Sequence, residues 1–139
     1  MANEGSPLSQ TFTATIDAAA ANADSSGAYI TCPYAGTVTL AEIIASAAIT
    51  GADTESRTFQ LHNRGLAGIG TVLVASKAFV NTVNAVADDN TALTLSATAA
   101  NLVVAAGDVL EFTSLHVGTT GLAGPKAQGR VTISRTSGA

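Results

Sequence analysis

The sequence is short of charge, of sulfur and of the rings that usually carry recognition. It has one cysteine, two histidines, three prolines, no tryptophan, and charge on only 12% of its 139 residues. Each shortage excludes something. Cys32 stands alone, so no internal disulfide can form, and it reads as a small half-buried apolar residue. His62 and His116 lie 54 positions apart with no HxH or HxxxH spacing, which gives no metal-ligand pattern. The six basic residues, Arg57, Arg64, Lys77, Lys126, Arg130 and Arg135, never cluster, and the formal net charge is −4. A phosphate-binding surface needs a basic stripe that releases counterions, so no nucleic-acid partner is expected. Thr37–Ile49 is the most apolar stretch, but Glu42 interrupts it and it is too short to cross a bilayer, so no membrane partner is expected. Met1 to Gln10 is polar, without a basic start or an apolar run, and no signal peptide is expected there.

What the chain does hold is a large apolar fraction made mostly of small residues. Hydrophobic residues make up 47%, and much of that is alanine. An ordinary domain carries about 25% charge, so a free monomer of this composition has a weakly charged surface with little protection against association. Burial of part of that surface in an assembly is one reading. Compositional drift in a GC-rich genome gives the same totals, and the two are compatible. The length suits one domain with a core that needs no metal or disulfide staple.

Residues 1–10 are expected to form a flexible amino-terminal arm and 11–139 a single β-sandwich domain. Thr11–Asp17 alternates strictly, with Phe12, Ala14 and Ile16 on one face and threonines on the other, the period-two signature of a half-buried strand. Ala18–Ala21 is read as a loop. Ala28–Cys32 reads as a short strand stopped by Pro33. In Thr37–Ala41, Val38 and Leu40 share a face. The adjacent Ile43 and Ile44 then blur the phase, which fits a bulged or bent strand better than a short helix over 40–48. Ser56–Asn63 is a strand with Phe59 and Leu61 inward and Arg57, Gln60 and His62 outward or at an edge. Thr71–Ser76 is another strand, while 77–86 has no assignable register. Ala92–Leu95 alternates. Asn101–Ala105, a turn at Ala106-Gly107-Asp108 and Val109–Thr113 read as a hairpin with Leu110 and Phe112 on the core face. Gly129–Thr136 closes the chain with Val131 and Ile133 inward. Short strands every 10–15 residues or so, separated by turn signals, predict an all-β antiparallel β-sandwich of jelly-roll type with seven to nine short strands.

No residue pattern supports catalysis, and no catalytic, cofactor-binding or metal-binding residue is assigned. There is no GxSxG elbow. Asp53 with Glu55, and Asp88 with Asp89, are carboxylate pairs of the kind glycoside chemistry uses, but both sit in turn sequences where Asp caps backbone groups. Asp88-Asp89-Asn90 lacks EF-hand spacing. Gly65-Leu66-Ala67-Gly68-Ile69-Gly70 lacks the GK[ST] ending of a phosphate cradle and lies between strands. The clustered His/His/Glu motif of metal-binding cupins is absent. No enzyme activity and no cofactor are expected.

Leu102-Val103-Val104-Ala105-Ala106-Gly107-Asp108-Val109-Leu110-Glu111-Phe112 resembles the V-x-A-G-D-x-L-x-F hairpin of many jelly-roll modules, and Pro33–Val38 resembles the strand opening that often precedes it. Together with the size, the low charge, the Ala/Thr/Gly richness and the polar amino terminus, the chain is similar in style to small phage virion proteins, especially head decoration (cement) proteins. That resemblance implies a homo-oligomer, commonly a trimer, seated on the exterior of a bacteriophage capsid, with the major capsid protein as partner. No functional residue carries over from it. Two other readings stay open. One is a receptor- or glycan-binding head of a phage fibre or spike, acting through loops 63–70 and 117–125 with Tyr34 or His116. The other is a cellular surface β-sandwich module.

Overall fold

The computed structural model describes residues 8–136. Among them are ten strands: β1 (Ser9–Ile16), β2 (Ser25–Thr31), β3 (Gly36–Ala45), β4 (Ser56–Gly65), β5 (Val72–Phe79), β6 (Asn90–Ala92), β7 (Thr94–Leu95), β8 (Val103–Val104), β9 (Val109–Val117) and β10 (Ala127–Arg135). A single 3-10 turn spans Ala99–Leu102. The excess over the expected seven to nine strands comes from β6, β7 and β8, fragments of two or three residues.

The first sheet runs β1-β10-β3-β6, with β8 also on β3; the second runs β2-β9-β4-β5-β7. Every pairing is antiparallel. The pairs are nested: β1 with β10, β2 with β9, β3 with β8, β4 with β5. A long two-stranded ribbon rolled up so that β10 meets β3 and β9 meets β4 gives this order, which is a jelly roll. The inner faces follow the sequence alternation. Ile16, Val38, Ile43, Phe59, Leu61, Leu110, Phe112, Val131 and Ile133 are all essentially sealed from solvent, each contributing on the order of 1.5–3 kcal/mol by burial. Phe59 and Phe79 meet edge to face at 5.8 Å, a favoured geometry for their quadrupoles. Gly129 lets the sheets close: a Cβ there would lie 2.5 Å from the Phe112 ring.

Several local readings change. The β3–β10 ladder matches Leu40 to Thr132 and Val38 to Ile133, so Thr39 is an extra residue and β3 is bulged. Val38 is therefore buried and Leu40, 40% exposed, faces outward rather than sharing its side. The strand then continues through Ile43 and Ile44 with no helix. Ala92–Leu95 is not one strand. Ala92 pairs Glu42 in the first sheet, Thr94 and Leu95 pair β5 in the second, and buried Leu93 marks the crossing. The 102–112 hairpin is also corrected: β8 lies on β3, whereas β9 lies between β2 and β4. The Gly107 turn, at φ 90°, donates its N–H to Cys32 O, and Asp108 Oδ2 accepts from Ala105 N. It carries the chain over the end of the sandwich. A turn signal reports that the chain reverses, not which sheet receives it. At the amino end β1 begins at Ser9, so Ser9 and Gln10 belong to the sheet and Leu8 O accepts from Arg135 N at 2.9 Å; the remainder of the expected arm, 1–7, lies outside the described residues.

Candidate functional site

At one end of the sandwich the loops are fastened by a buried cation. Arg57 has the same parity as Phe59 and Leu61 on β4, so alternation turns it inward, and it is 0% exposed rather than outward as expected. Its Nε donates to Leu122 O at 2.6 Å, Nη1 to Ser114 Oγ at 2.9 Å, and Nη2 to Ala20 O and Ala23 O at 3.0 and 2.8 Å. Among the described residues no carboxylate makes an ion pair with it; burial lowers its pKa, with nearby Asp24 opposing, though an arginine keeps its charge. The guanidinium thus replaces water for carbonyls of two loops and holds both to the strands. Glu55 does similar work from the opposite sign, accepting N–H from Thr120 at 3.0 Å and Gly121 at 2.7 Å, bonds that lower its pKa. Asp24 Oδ1 accepts the His116 backbone N–H at 2.9 Å and lies 2.7 Å from its Nδ1; these bonds pull the Asp24 carboxyl down.

The outer face of the second sheet carries a row formed by register: Tyr29 opposite Glu111, Glu111 opposite His62, His62 opposite Leu73. Glu111 is buried beneath its neighbours and fully used. Arg64 reaches it with Nε at 2.8 Å and Nη2 at 2.7 Å, and Gly27 N donates to its other oxygen at 2.8 Å. A buried carboxylate requires such partners. His62 beside them is held below its ordinary pKa by burial and then by Arg64, which favours the neutral ring at neutral pH. Among the described residues His62 Nδ1 and Thr113 Oγ1 are buried without a hydrogen-bond partner. Tyr29, 60% exposed, stands at the rim.

This face continues into the β4–β5 connection. Gly65 to Leu73 is nine residues without a charge. Gly65 and Gly68 take φ of 71° and 77°, and Gly70 N donates to Arg64 O at 2.8 Å, so the glycines serve the turn and not a phosphate. The turn leaves Leu66 74% and Ile69 84% exposed, with Val72 and Leu73 beside them. Large apolar side chains exposed together are the informative kind of surface.

The outer face of the first sheet is polar but neutral. Thr11, Thr13 and Thr15 stand exposed on β1, and among the described residues the one ion pair on that face, Arg130 Nη1 to Glu42 Oε1 at 2.9 Å, cancels itself. A shallow depression of about 270 Å³ beside it is lined by Thr15, Ile44, Ser46, Asp88, Lys126 and Gln128.

The residues singled out by sequence are not brought together. Asp88 takes φ 61° in its turn, and Asp89 caps Asn90 N at 2.9 Å. Glu55 binds backbone. Among the described residues no group of three His, Cys, Asp or Glu converges on a metal position, and no Ser, Thr or Cys side chain hydrogen-bonds either imidazole. Burial, with Asp108 nearby, pushes the Cys32 thiol up to about 11. Tyr34 is not a platform: it is half-buried, packs on Phe12 at 6.2 Å, donates to Ile133 O at 3.2 Å and lies under Arg135. The surface residues that sequence reading missed, Leu66 and Ile69, were visible only as members of a glycine-rich loop. The missed Arg57 was signalled by parity with Phe59 and Leu61.

No protein-family model matches the chain, and no curated protein matches it. Among solved structures it is similar to that of the infectious bursal disease virus Gx strain at 14% identity, covering 97% of this chain and 33% of that one, TM-score 0.42. It is also similar to the VP2 subviral particle of infectious bursal disease virus at 12% identity, covering 97% and 34%, TM-score 0.42. The chain spans about a third of the length of these solved chains. Similarity this low adds nothing to the strand order, which by itself defines the jelly roll.

Proposed function

We propose that this protein is a structural virion protein that binds the outer surface of a bacteriophage capsid as a homo-oligomer and stabilises contacts between capsomers. The observation that carries this reading is the uncharged β4–β5 tip, where the side chains of Leu66 and Ile69 are 74% and 84% exposed. Side chains of that kind favour transfer into a partner's pocket, at about 25 cal/mol per Å² of apolar area covered, and central apolar anchors dominate interface energies. The partner is the major capsid protein. Nucleic acid does not fit, because Arg57 is internal and Arg64 and Arg130 are already paired. Many copies on a lattice gain by avidity what one weak contact lacks.

The test is co-sedimentation of purified protein with expanded capsids and a count of copies per virion by mass spectrometry. Saturable binding that Leu66→Asp with Ile69→Asp weakens by about tenfold or more is the expected result. Virions holding few or no copies would overturn the proposal. One observation favours a glycan-binding role instead: Tyr29 stands at the rim of a row whose His62 Nδ1 lacks a partner among the described residues. Glycan-array binding lost on Tyr29→Ala would select that reading.

A further inference from the structure

The sheets end in edges of very different kinds. β6, β7 and β8 are two or three residues long. β2 is interrupted by a register shift between Ser25 and Ala28, and Gly27 N is taken by Glu111. β1 is different. It is eight residues of S-Q-T-F-T-A-T-I, without proline or charge, and among the described residues it pairs with β10 on one side only. It lacks the proline, lysine or bulge that commonly guards an exposed edge.

The ladder tells which groups the edge presents. Arg135 N donates to Leu8 O at 2.9 Å, just beyond the Ser9–Ser134 pair. Antiparallel bonding alternates, so Leu8, Gln10, Phe12, Ala14 and Ile16 direct their backbone groups at β10. Ser9, Thr11, Thr13 and Thr15 direct theirs outward. These four outward residues are symmetric about Phe12.

We infer that β1 is a docking edge for a second copy of this chain, pairing antiparallel with the same strand about a twofold axis at Phe12. In that register Ser9 faces Thr15 of the partner copy and Thr11 faces Thr13, each pair twice. Every outward N–H and C=O of β1 is then used, about eight bonds in all. Phe12 meets its own copy in the non-hydrogen-bonded pair, where side chains approach most closely and aromatic pairs stabilise a sheet. The chain carries a net charge of −4, so copies repel in general, but β1 is neutral and adds no like-charge contact. A twofold contact is closed and isologous. It yields a dimer, and in a larger assembly it joins copies from neighbouring oligomers. It does not rest on the capsid reading, and either can fail without the other.

The experiment is light scattering coupled to size exclusion on the full chain over a range of concentrations. Wild type is expected at twice the chain mass of 13.7 kDa. Thr11→Lys with Thr13→Lys sets Lys against Lys at both facing pairs and is expected to run at one chain mass. Thr11→Lys with Thr13→Glu sets Lys against Glu and is expected to restore the dimer. Thr13→Pro removes an outward N–H without touching the β10 ladder, and is expected to give a folded monomer. Circular dichroism confirms that each variant keeps its strands. A wild type that stays monomeric at every concentration overturns the inference, as does a mass of three copies. A double-lysine variant that remains dimeric, or a Lys/Glu variant no better than it, overturns the register and with it the contact.

Discussion

Arg57→Met removes the cation that fastens one end of the sandwich while keeping a long unbranched stem in its place. Four acceptors lose this donor, Leu122 O, Ser114 Oγ, Ala20 O and Ala23 O, although Ala20 O keeps the Ala23 N–H. A hydrogen bond to a charged group stabilises by about 1.5–3 kcal/mol, so four bonds set a gross loss of roughly 6–12 kcal/mol. Against this stands the desolvation of the guanidinium, several kcal/mol, which the variant no longer incurs. Water reaches some of the freed loop carbonyls, which lowers the loss further. The net expectation is destabilisation by about 3–4 kcal/mol. With a urea m-value on the order of 2 kcal/mol/M, the unfolding midpoint falls by about 1.5–2 M. The m-value itself stays unchanged, because the exposed area on unfolding does. Arg57→Lys keeps a charge but loses the fork, and is expected to recover less than half of the loss. The loops at 17–24 and 118–126 are expected to become the first sites of limited proteolysis. A midpoint within about 0.3 M of wild type, with the loops still resistant, would refute the idea that Arg57 organises this end.

Gly129→Ala drives a methyl into the Phe112 ring across the sandwich and is expected to cost about 1–3 kcal/mol by chemical denaturation; thermal melts should agree in sign. Lowering the pH should destabilise the protein in two steps. His62 is held below its ordinary pKa, so the unfolded chain takes its proton first as pH falls through about 6.5, and stability declines from there down to the folded pKa. His62→Gln should flatten that part of the urea-stability profile. Asp24 and Glu55 are both depressed, so their contribution is present above about pH 4–4.5 and is lost as pH falls through their folded values. Cys32, 1% exposed with its thiol raised to about 11, should resist an aromatic disulfide reagent at pH 8 in the native protein and react at once in denaturant. Rapid native labelling would show that the chain just beyond β2 opens easily.

The sequence by itself determined the class of fold and most of the core. Alternation in Thr11–Asp17, Phe59–Leu61 and Val131–Ile133 reflects side chains pointing to opposite faces of a pleated strand, which is local geometry and needs no partner. The lack of clustered histidines, cysteines and basic residues is equally local. The tertiary structure alone decided which sheet each strand joins. The Gly107 turn reads the same whether the chain folds back as a hairpin or crosses to the opposite sheet, and Ala92–Leu95 alternates although the chain changes sheets at Leu93. It also decided the consequences of the Thr39 bulge, because an extra residue is defined only against a partner strand, and that single slip turns Leu40 outward. Arg57 lies between these cases. Its parity pointed inward, but a charged residue is tolerated there only because Leu122, Ser114, Ala20 and Ala23, distant in sequence, supply acceptors. The surface features that matter for function are of the same kind. That β1 is an unguarded edge among the described residues, and that Leu66, lying over Gly107, and Ile69 are left largely exposed, follow from what lies beside them in space, which neighbours in sequence do not specify.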